Sequence, residues 1–253
     1  MNVFLTGASS GIGAALAAEF ARRGAVLGLV ARRTEALHSL LATLPGRHLV
    51  YSADVTDSEA IIAAGRAFEA ATGGADFVVA NAGISVGVRT EYYEDLEQFR
   101  RVFATNVLAM AATFHPFIAP MKARRRGTLI GIASVSGIRG LPGSEAYCAS
   151  KSAVITYCES LRVELAKHGV KVVTISPGFI RTPLTAKNPY GMPFLMEADE
   201  FARRAATAMI AGVRYRTIPW QMGWVSGLLK FLPRSAFDRL MKNRKQKPRI
   251  APS

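Results

Sequence analysis

The chain has 253 residues, half of them apolar and one fifth charged, and this composition excludes an intrinsically disordered protein. The formal net charge is +14, and half of it lies in residues 230–249, which contain eight basic residues and one acid. Because neither a nucleic-acid-binding motif nor metal-ligand spacing accompanies this charge, we expect no nucleic-acid partner and no metal site.

Short apolar runs alternate with longer amphipathic stretches through most of the chain. Strands are predicted at residues 2–6, 25–30, 48–52, 76–80, 127–133 and 170–176, with a weaker one at 215–219. Helices are predicted between them, at residues 11–24, 34–44, 57–73, 95–124 and 146–168. This alternation predicts one α/β domain, residues 1–253, built on a Rossmann-type doubly wound sheet of about seven parallel strands with helices on both faces.

The regular alternation ends after Pro177. Residues 183–217 begin with an irregular, proline-rich stretch and continue with a helical pattern from about residue 197 to 213. Irregular segments beyond the carboxyl end of a strand commonly cover a substrate. We therefore predict a substrate-covering insertion at 183–217, followed by an apolar helix and a basic tail at 218–253.

A glycine-rich turn joins the first predicted strand to the first predicted helix. Glycine lets the backbone approach a pyrophosphate closely, and the helix amino terminus offers free N–H groups and a positive dipole. The sequence Gly-Ala-Ser-Ser-Gly-Ile-Gly at this turn therefore predicts a dinucleotide site. The candidate residues are Thr6, Gly7, Ser9, Ser10, Gly11, Ile12 and Gly13.

Two arginines, Arg32 and Arg33, follow the second strand, at the position where NAD-binding folds usually carry an acid. Basic residues there accommodate a ribose 2′-phosphate, which favours NADP(H) over NAD(H). The alternative is that both arginines cap the strand and face solvent.

Polar and small residues follow the third and fourth strands, where the adenine and a ribose would lie. Asp54 is the one candidate there with a second interpretation, as the N-cap of the next helix, although Asp57 is the stronger capping candidate. The predicted contacts of this part of the cofactor are Asp54, Val55, Asn81, Ala82 and Gly83.

Tyr147 and Lys151 form the most informative pair in the sequence. Residues four apart share a helix face, so the Lys151 ammonium is predicted to lie near the Tyr147 phenol. A phenol with its ordinary pKa of about 10 is a poor base at neutral pH, and a nearby cation favours the phenolate. The pair therefore predicts a tyrosine that exchanges a proton with an alcohol or carbonyl oxygen.

Several motifs now occur together in one order. The chain carries Thr-Gly-x-x-x-Gly-x-Gly from residue 6, Asn-Ala-Gly from residue 81, serines after the fifth strand, Tyr-x-x-x-Lys from residue 147 and Pro-Gly from residue 177. In this order and spacing they resemble the short-chain dehydrogenase/reductase family over about residues 1–185. The resemblance implies hydride transfer between NADP(H) and a carbonyl or alcohol carbon.

The resemblance also implies four catalytic residues. Ser134 would hydrogen-bond the substrate oxygen, with Ser136 as the alternative. Tyr147 would exchange its proton with that oxygen, while Lys151 would lower the pKa of Tyr147, and both would contact the cofactor. Asn106 would support a water-mediated proton relay, unless it is only a structural residue within a helix.

The same resemblance extends to the sixth strand and to the quaternary structure. Family dimers and tetramers pair two long helices, which correspond here to residues 100–124 and 147–168, so we expect a homodimer or homotetramer. The residues that would border or orient the nicotinamide carboxamide are Pro177, Gly178, Ile180 and Thr182.

The carboxyl-terminal region has two interpretations. Residues 220–233 are apolar nearly all round but too few to span a bilayer, and a basic cluster at 242–249 follows. This combination suits docking of residues 220–249 on an anionic membrane surface. The alternative is a helix packed over the substrate pocket or a subunit interface, with a solvated basic tail. The region is similar to the tails of membrane-associated family members, including 11-beta-hydroxysteroid dehydrogenases, which implies a lipophilic substrate.

The expected location is the cytoplasm, with the inner membrane surface as the place of any membrane contact. The apolar run Val3-Phe4-Leu5 is too short for a signal peptide or a membrane span. Cys148 and Cys158 fall on one predicted helix about 15 Å apart by helical rise, too far for a disulfide.

Two competing functions stay open. A 3-oxoacyl thioester reductase would use the same catalytic residues, and the basic residues 124–126 and the tail could attract an acidic carrier protein. A non-catalytic NADP(H)-binding sensor would bind the nucleotide without turning over any carbonyl.

Overall fold

The computed structural model describes residues 1–186 and 188–249. Two sheets are formed, a large one of seven strands and a small one that pairs β7 (Ile180–Arg181) with β8 (Met196–Glu197). The seven strands are β1 (Asn2–Thr6), β2 (Val26–Ala31), β3 (Leu49–Ser52), β4 (Phe77–Ala80), β5 (Thr128–Ile132), β6 (Lys171–Pro177) and β9 (Tyr215–Ile218).

All seven strands run parallel, in the order β3-β2-β1-β4-β5-β6-β9. The predicted fold is therefore confirmed, including the weaker last strand. The strand order reverses between β1 and β4, and ligands of such sheets bind outside the carboxyl ends of the strands at this point.

The helices match the predicted ones to within a few residues. One difference is that the predicted helix 95–124 contains a π-helical turn, Ala104–Leu108, between two α-helical parts. The α-helices are α1 (Gly11–Arg22), α2 (Thr34–Leu41), α3 (Ser58–Thr72), α4 (Asp95–Phe103), α5 (Ala109–Arg124), α6 (Glu145–Ala166), α7 (Ala198–Ala211), α8 (Trp220–Phe231) and α9 (Arg234–Met241).

Helices cover both faces of the sheet with apolar side chains. On one face α1 and α7 pack together, with Phe20 and Phe201 fully buried. On the other face α3, α5 and α6 pack against the strands, with Phe68 and Phe117 fully buried. Strands covered on both sides must be apolar throughout, which explains the continuous apolar runs in the sequence.

The stretch Asp95–Arg124 is long and apolar enough to cross a membrane by length and composition. Three of its large side chains are nevertheless part of the protein core. Phe114, Phe117 and Met121 are fully buried in the core beneath α5. The apolar character of this stretch is therefore explained by its place in the core.

The predicted insertion 183–217 divides into two parts with different surroundings. Its first residues lie at the carboxyl edge of the sheet, but its helix, α7, packs against α1 through Ala205 and Met209. Because α7 is part of the core layer, only the part of the insertion before it is placed to cover a substrate.

Arg139, in the loop after β5, fixes the two carboxyl-terminal helices. Its guanidinium donates to the carbonyl oxygens of Leu229 and Leu232 at 2.6 and 2.9 Å, at the end of α8. The same group lies 4.2 Å from the ring centroid of Phe237 on α9. These contacts attach α8 and α9 beside the carboxyl edge of the sheet.

Candidate active site

A cleft of about 700 Å³ lies along the carboxyl edge of the sheet, at the reversal between β1 and β4. Segments that follow six of the strands line this cleft, which explains why its residues are spread over most of the sequence. All predicted site residues line it except Thr6 and Asn106. Those that do are Gly7, Ser9, Ser10, Gly11, Ile12, Gly13, Arg32, Arg33, Asp54, Val55, Asn81, Ala82, Gly83, Ser134, Tyr147, Lys151, Pro177, Gly178, Ile180 and Thr182.

The glycine-rich turn has the shape that a pyrophosphate requires. Gly7 has a φ of +69°, in the left-handed region, and a Cβ at Gly13 would lie 2.0 Å from the Gly7 carbonyl oxygen. Ser10 precedes α1 without capping it through its side chain, and no acid lies in the first helical turn. The free N–H groups of this turn therefore fit the anionic diphosphate of a dinucleotide.

Thr6 lies beneath the cleft, where it holds the turn in place. Its hydroxyl accepts the backbone N–H groups of Asn81 and Ala82 at 3.2 and 3.3 Å. The Asn81 amide in turn donates to the carbonyl oxygens of Thr6 and Gly7 at 3.0 and 3.2 Å. These two side chains therefore fix the ends of β1 and β4 relative to each other.

Arg32 and Arg33 both turn toward the cleft instead of facing only solvent. The Arg33 guanidinium donates to the Ser9 hydroxyl of the glycine-rich turn at 3.2 Å. Arg32 lies 3.5 Å from the Asp54 carboxylate. Two exposed cations thus border the end of the cleft next to β2.

Asp54 forms a local turn and does not cap α3. Its carboxylate accepts the backbone N–H and the hydroxyl of Thr56 at 2.9 and 2.8 Å, and these bonds lower the pKa of Asp54. Asp57 is the N-cap of α3 and accepts the Ala60 N–H at 3.0 Å. The capping prediction for Asp57 is therefore confirmed.

Ser134, Tyr147 and Lys151 meet at the other end of the cleft. Ser134 is buried directly after β5, and its hydroxyl accepts the Ser136 N–H at 3.1 Å. The Lys151 ammonium lies 5.9 Å from the ring centroid of Tyr147 and donates to the Ile132 carbonyl oxygen at 2.8 Å. Ser134 lines the cleft and Ser136 does not, so the geometry favours Ser134.

Burial controls the protonation of this group in the cofactor-free protein. It raises the pKa of Tyr147 to about 12, and an interaction with the Ser134 hydroxyl opposes this shift. Burial also lowers the pKa of Lys151 to about 8. At neutral pH the phenol therefore carries its proton, and a buried ammonium lies on the same helix face.

Asn106 is fully buried in the π-helical turn between α4 and α5. Its amide oxygen accepts the Ile84 N–H at 2.8 Å, and its amide nitrogen donates to the Ile84 carbonyl oxygen at 3.0 Å. The same nitrogen donates to the Ser150 hydroxyl at 2.9 Å. Asn106 therefore joins the loop after β4 to α6, and π-helical turns often occur at functional sites.

Some residues of the cleft were missed by sequence reasoning. Arg101 lines it from α4 without any motif around it, and a mid-helix arginine gives no signal of its own. Residues 183–185 directly continue the predicted contacts after β6 and were assigned only to the insertion. Other lining residues that were not predicted are Ala31, Ala53, Thr56, Ile84, Ala104, Thr105, Ile132 and Ala133.

Sequence comparisons agree with this arrangement. The model of the short chain dehydrogenase family matches residues 1–191. A Myxococcus xanthus protein described as an uncharacterized oxidoreductase is 39% identical over 240 residues, which are 94% of each chain. A Mycobacterium tuberculosis protein with the same description is 36% identical over 226 residues, 87% of this chain and 88% of that relative.

Solved structures give the same result. A short-chain dehydrogenase from Streptomyces avermitilis superposes with a TM-score of 0.78 and 28% identity, over 90% of this chain and 92% of that one. L-sorbose reductase from Gluconobacter frateurii, complexed with NADPH and L-sorbose, gives a TM-score of 0.75 and 27% identity, over 86% and 94% of the two chains. By the family match and these relatives, the chain belongs to the short chain dehydrogenase family of NAD(P)-binding oxidoreductases.

Proposed function

We propose that this oxidoreductase transfers hydride between NADP(H) and a lipophilic carbonyl or alcohol. The observation that carries the proposal is one cleft that holds the glycine-rich turn at one end and Ser134, Tyr147 and Lys151 at the other. A dinucleotide bound at the turn would reach from Arg33 toward Lys151 along this cleft.

The catalytic roles follow from the chemistry of the three side chains. Since the pKa of Tyr147 is raised to about 12, its hydroxyl is protonated at neutral pH and can donate to a carbonyl oxygen. The Ser134 hydroxyl, beside it, hydrogen-bonds the same oxygen and polarises the carbonyl. When bound, the nicotinamide supplies or accepts the hydride. The Lys151 ammonium stabilises the phenolate that remains after Tyr147 has given up its proton.

Two arginines support NADP(H) as the cofactor. Arg33 and Ser9 are already linked by a hydrogen bond across the end of the cleft, and Arg32 lies next to them in the sequence. A 2′-phosphate there would receive charge-assisted hydrogen bonds from guanidinium groups. No acid stands at either position to bind a ribose 2′-hydroxyl in the manner of NAD-binding folds.

The exposed face of α8 supports contact with a membrane. Trp220, Trp224, Leu228 and Phe231 recur at helical spacing, and Trp224 and Phe231 are 75% and 84% exposed. The sequence of α8 contains no acid. An aromatic helix face near basic residues suits shallow insertion into an anionic bilayer surface at the cytoplasmic side. An enzyme bound there would receive a lipophilic substrate directly from the membrane.

A homodimer or homotetramer is the proposed assembly. Leu108, the last residue of the π-helical turn before α5, and Val163 on α6 are both 66% exposed. Large apolar residues at these positions suit the pairing of the two long helices between subunits.

The decisive experiment follows loss of NADPH absorbance with aldehydes and ketones of increasing chain length and ring count. Tyr147→Phe keeps the ring but removes the transferable proton, so we expect kcat to fall about 10²–10⁴-fold while NADPH affinity changes little. Tyr157→Phe is the matched control, because this tyrosine lies on the same helix and stacks on Phe114 in the core. Most activity retained in Tyr147→Phe would contradict the proposed role.

The same assay, with 3-oxoacyl thioesters added to the panel, separates the competing functions. A preference for 3-oxoacyl thioesters over simple ketones would favour the thioester reductase. NADPH binding with no turnover of any compound, thioesters included, would favour the non-catalytic sensor.

A further inference from the structure

The last described residues of the chain are bound to the protein and not free in solvent. Residues 244–249, here called the strap, cross from the segment between β7 and β8 to the loops after β5 and β4. These loops extend from carboxyl strand ends, on the side of the cleft where the substrate of such an enzyme binds. The strap therefore differs from the solvated basic tail, one of the two interpretations that the sequence leaves open.

The strap ends in a charged anchor. The Arg249 guanidinium donates to both carboxylate oxygens of Asp95 at 2.7 and 2.9 Å, and to Glu94 at 3.1 Å. Asp95 is buried and also accepts the Arg89 N–H at 2.7 Å. The guanidinium lies 3.5 Å from the ring centroid of Tyr92. A bidentate pair stacked on an aromatic ring fixes an arginine more specifically than a surface ion pair does.

A backbone crossing forms the second anchor. Gly87 forms a parallel β-bridge with Arg249, and a Cβ at Gly87 would lie 2.4 Å from the carbonyl oxygens of both Lys247 and Pro248. The Lys247 side chain is 9% exposed and donates to the Ser85 hydroxyl at 2.9 Å. Gly87 thus permits an approach that any other residue would block.

The first half of the strap lies against segments that flank the cleft. Gln246 packs on Gly143, and a Cβ added at Gly143 would lie 2.6 Å from the Cβ of Gln246. The Arg244 guanidinium lies 4.9 Å from the ring centroid of Tyr190, and the Tyr190 ring lies 6.4 Å from that of Phe179, which stands between the cleft residues Gly178 and Ile180. Ser85, which Lys247 binds, follows the cleft residues Gly83 and Ile84, and a Cβ at Gly83 would lie 3.4 Å from the Lys151 Nζ, so the strap crosses the outside of the loops that line the catalytic end of the cleft.

We propose that the strap is the outer wall of the substrate pocket and limits the size of the carbonyl compound that reaches Tyr147. Arg249 and Gly87 are then positioning residues, which act through the strap and touch neither cofactor nor substrate. This proposal rests on the proposed reductase function. It adds a substrate-selecting element, made by the end of the chain itself.

The test releases the strap without changing the catalytic residues. Gly87→Ala blocks the crossing, and Arg249→Ala removes the charged anchor. Gly140→Ala and Arg234→Ala are the controls, since a Cβ at Gly140 meets nothing within 4 Å and Arg234 is exposed on α9. Brief trypsin treatment of the full-length protein reports release, because the strap contains several basic residues.

We expect both release variants to lose the strap to trypsin at least fivefold faster than the controls, with NADPH affinity within twofold of wild type. The ratio of kcat/KM for bulky over small carbonyl compounds should rise at least fivefold. Faster cleavage with an unchanged ratio would overturn the proposal, as would an unchanged cleavage rate in both variants.

A second readout does not depend on turnover. Cys148 follows Tyr147 on α6 and is buried against a cavity that the loop after β5 and the end of α9 enclose, and α9 leads directly into the strap. Strap release should speed alkylation of Cys148 at least fivefold, while Cys158, buried in the core, stays unreactive. If wild type reduces no carbonyl compound but Cys148 responds in this way, the reductase function fails and the strap remains a cover. An unchanged alkylation rate after strap release would contradict the strap proposal itself.

Discussion

The two sides of the cleft are constructed differently. On the cofactor side, each group lies within a few residues of a strand end, as Gly7 and Arg32 follow β1 and β2. On the substrate side, the wall depends on contacts between distant segments. Lys247 and Ser85 are 162 positions apart in the chain, and Arg249 and Asp95 are 154 apart.

This difference separates a part that the sheet itself forms from a part that depends on contacts between distant segments. A cofactor site formed by short turns on a rigid sheet has little freedom to change, because each turn must match the same dinucleotide. A wall formed by the last helices and the strap can vary in sequence without disturbing the sheet. Substrate choice is therefore expected to depend on the carboxyl-terminal region, and catalytic power on the sheet.

The largest expected effect tests the sheet side. Lys151→Met should lower kcat/KM about 10²–10⁴-fold, because the cation that favours the Tyr147 phenolate is lost. The same change should stabilise the cofactor-free protein by about 1–3 kcal/mol, since burial of the ammonium is unfavourable and its bond to Ile132 only partly offsets this. Chemical denaturation and steady-state kinetics measure the two effects.

The stability gained by Lys151→Met should change with pH in one direction. The pKa of Lys151 in the folded protein is about 8, below its ordinary value of 10.5, so the unfolded chain binds the extra proton between these values. The stability gained by Lys151→Met should be full below pH 8 and should shrink as the pH rises toward 10.5. A mutant that is less stable than wild type at pH 7 would show that the Lys151 ammonium stabilises the folded protein, in spite of its burial.

Local signals made the cofactor side predictable. The glycines around Gly13 and the Tyr147–Lys151 spacing are readable because each is set by a turn or by one helix face. The role of Asn106 was open, since only the fold shows that its π-helical turn faces Ile84. Thr6 was predicted to contact the cofactor, but its hydroxyl accepts the backbone N–H groups of Asn81 and Ala82 and so fixes the loop after β4.

The strap could not be predicted from the sequence for a physical reason. A cluster of cations near a chain end is usually a solvated tail, and nothing local marks Arg249 as the partner of a buried Asp95. The glycine that makes the crossing possible, Gly87, lies in a loop without regular structure and reads like any turn glycine. Pairings over more than 150 positions become visible only when the sheet brings the two loops together.

A smaller effect is expected at the end of the cofactor side. Arg33→Ala removes the guanidinium that points to Ser9, so the KM for NADPH should rise about 10–100-fold while that for NADH stays within threefold of wild type. Arg66→Ala, an exposed arginine on α3, is the control and should change neither value. Equal losses with both nucleotides would indicate a structural role for Arg33 and no recognition of a 2′-phosphate.

The smallest effect concerns the exposed face of α8. Trp224→Ser should weaken binding to vesicles that contain phosphatidylglycerol about tenfold, because one large aromatic side chain no longer leaves water. Tyr93→Ser is the matched control, since Tyr93 is equally exposed but lies before α4. Co-sedimentation at low salt measures binding, and the rate with a small soluble ketone should be the same in all three proteins. If Trp224→Ser and wild type bind such vesicles equally, the exposed face of α8 contacts another protein surface and not the membrane. The carboxyl-terminal region then selects substrates only through the side that faces the cleft.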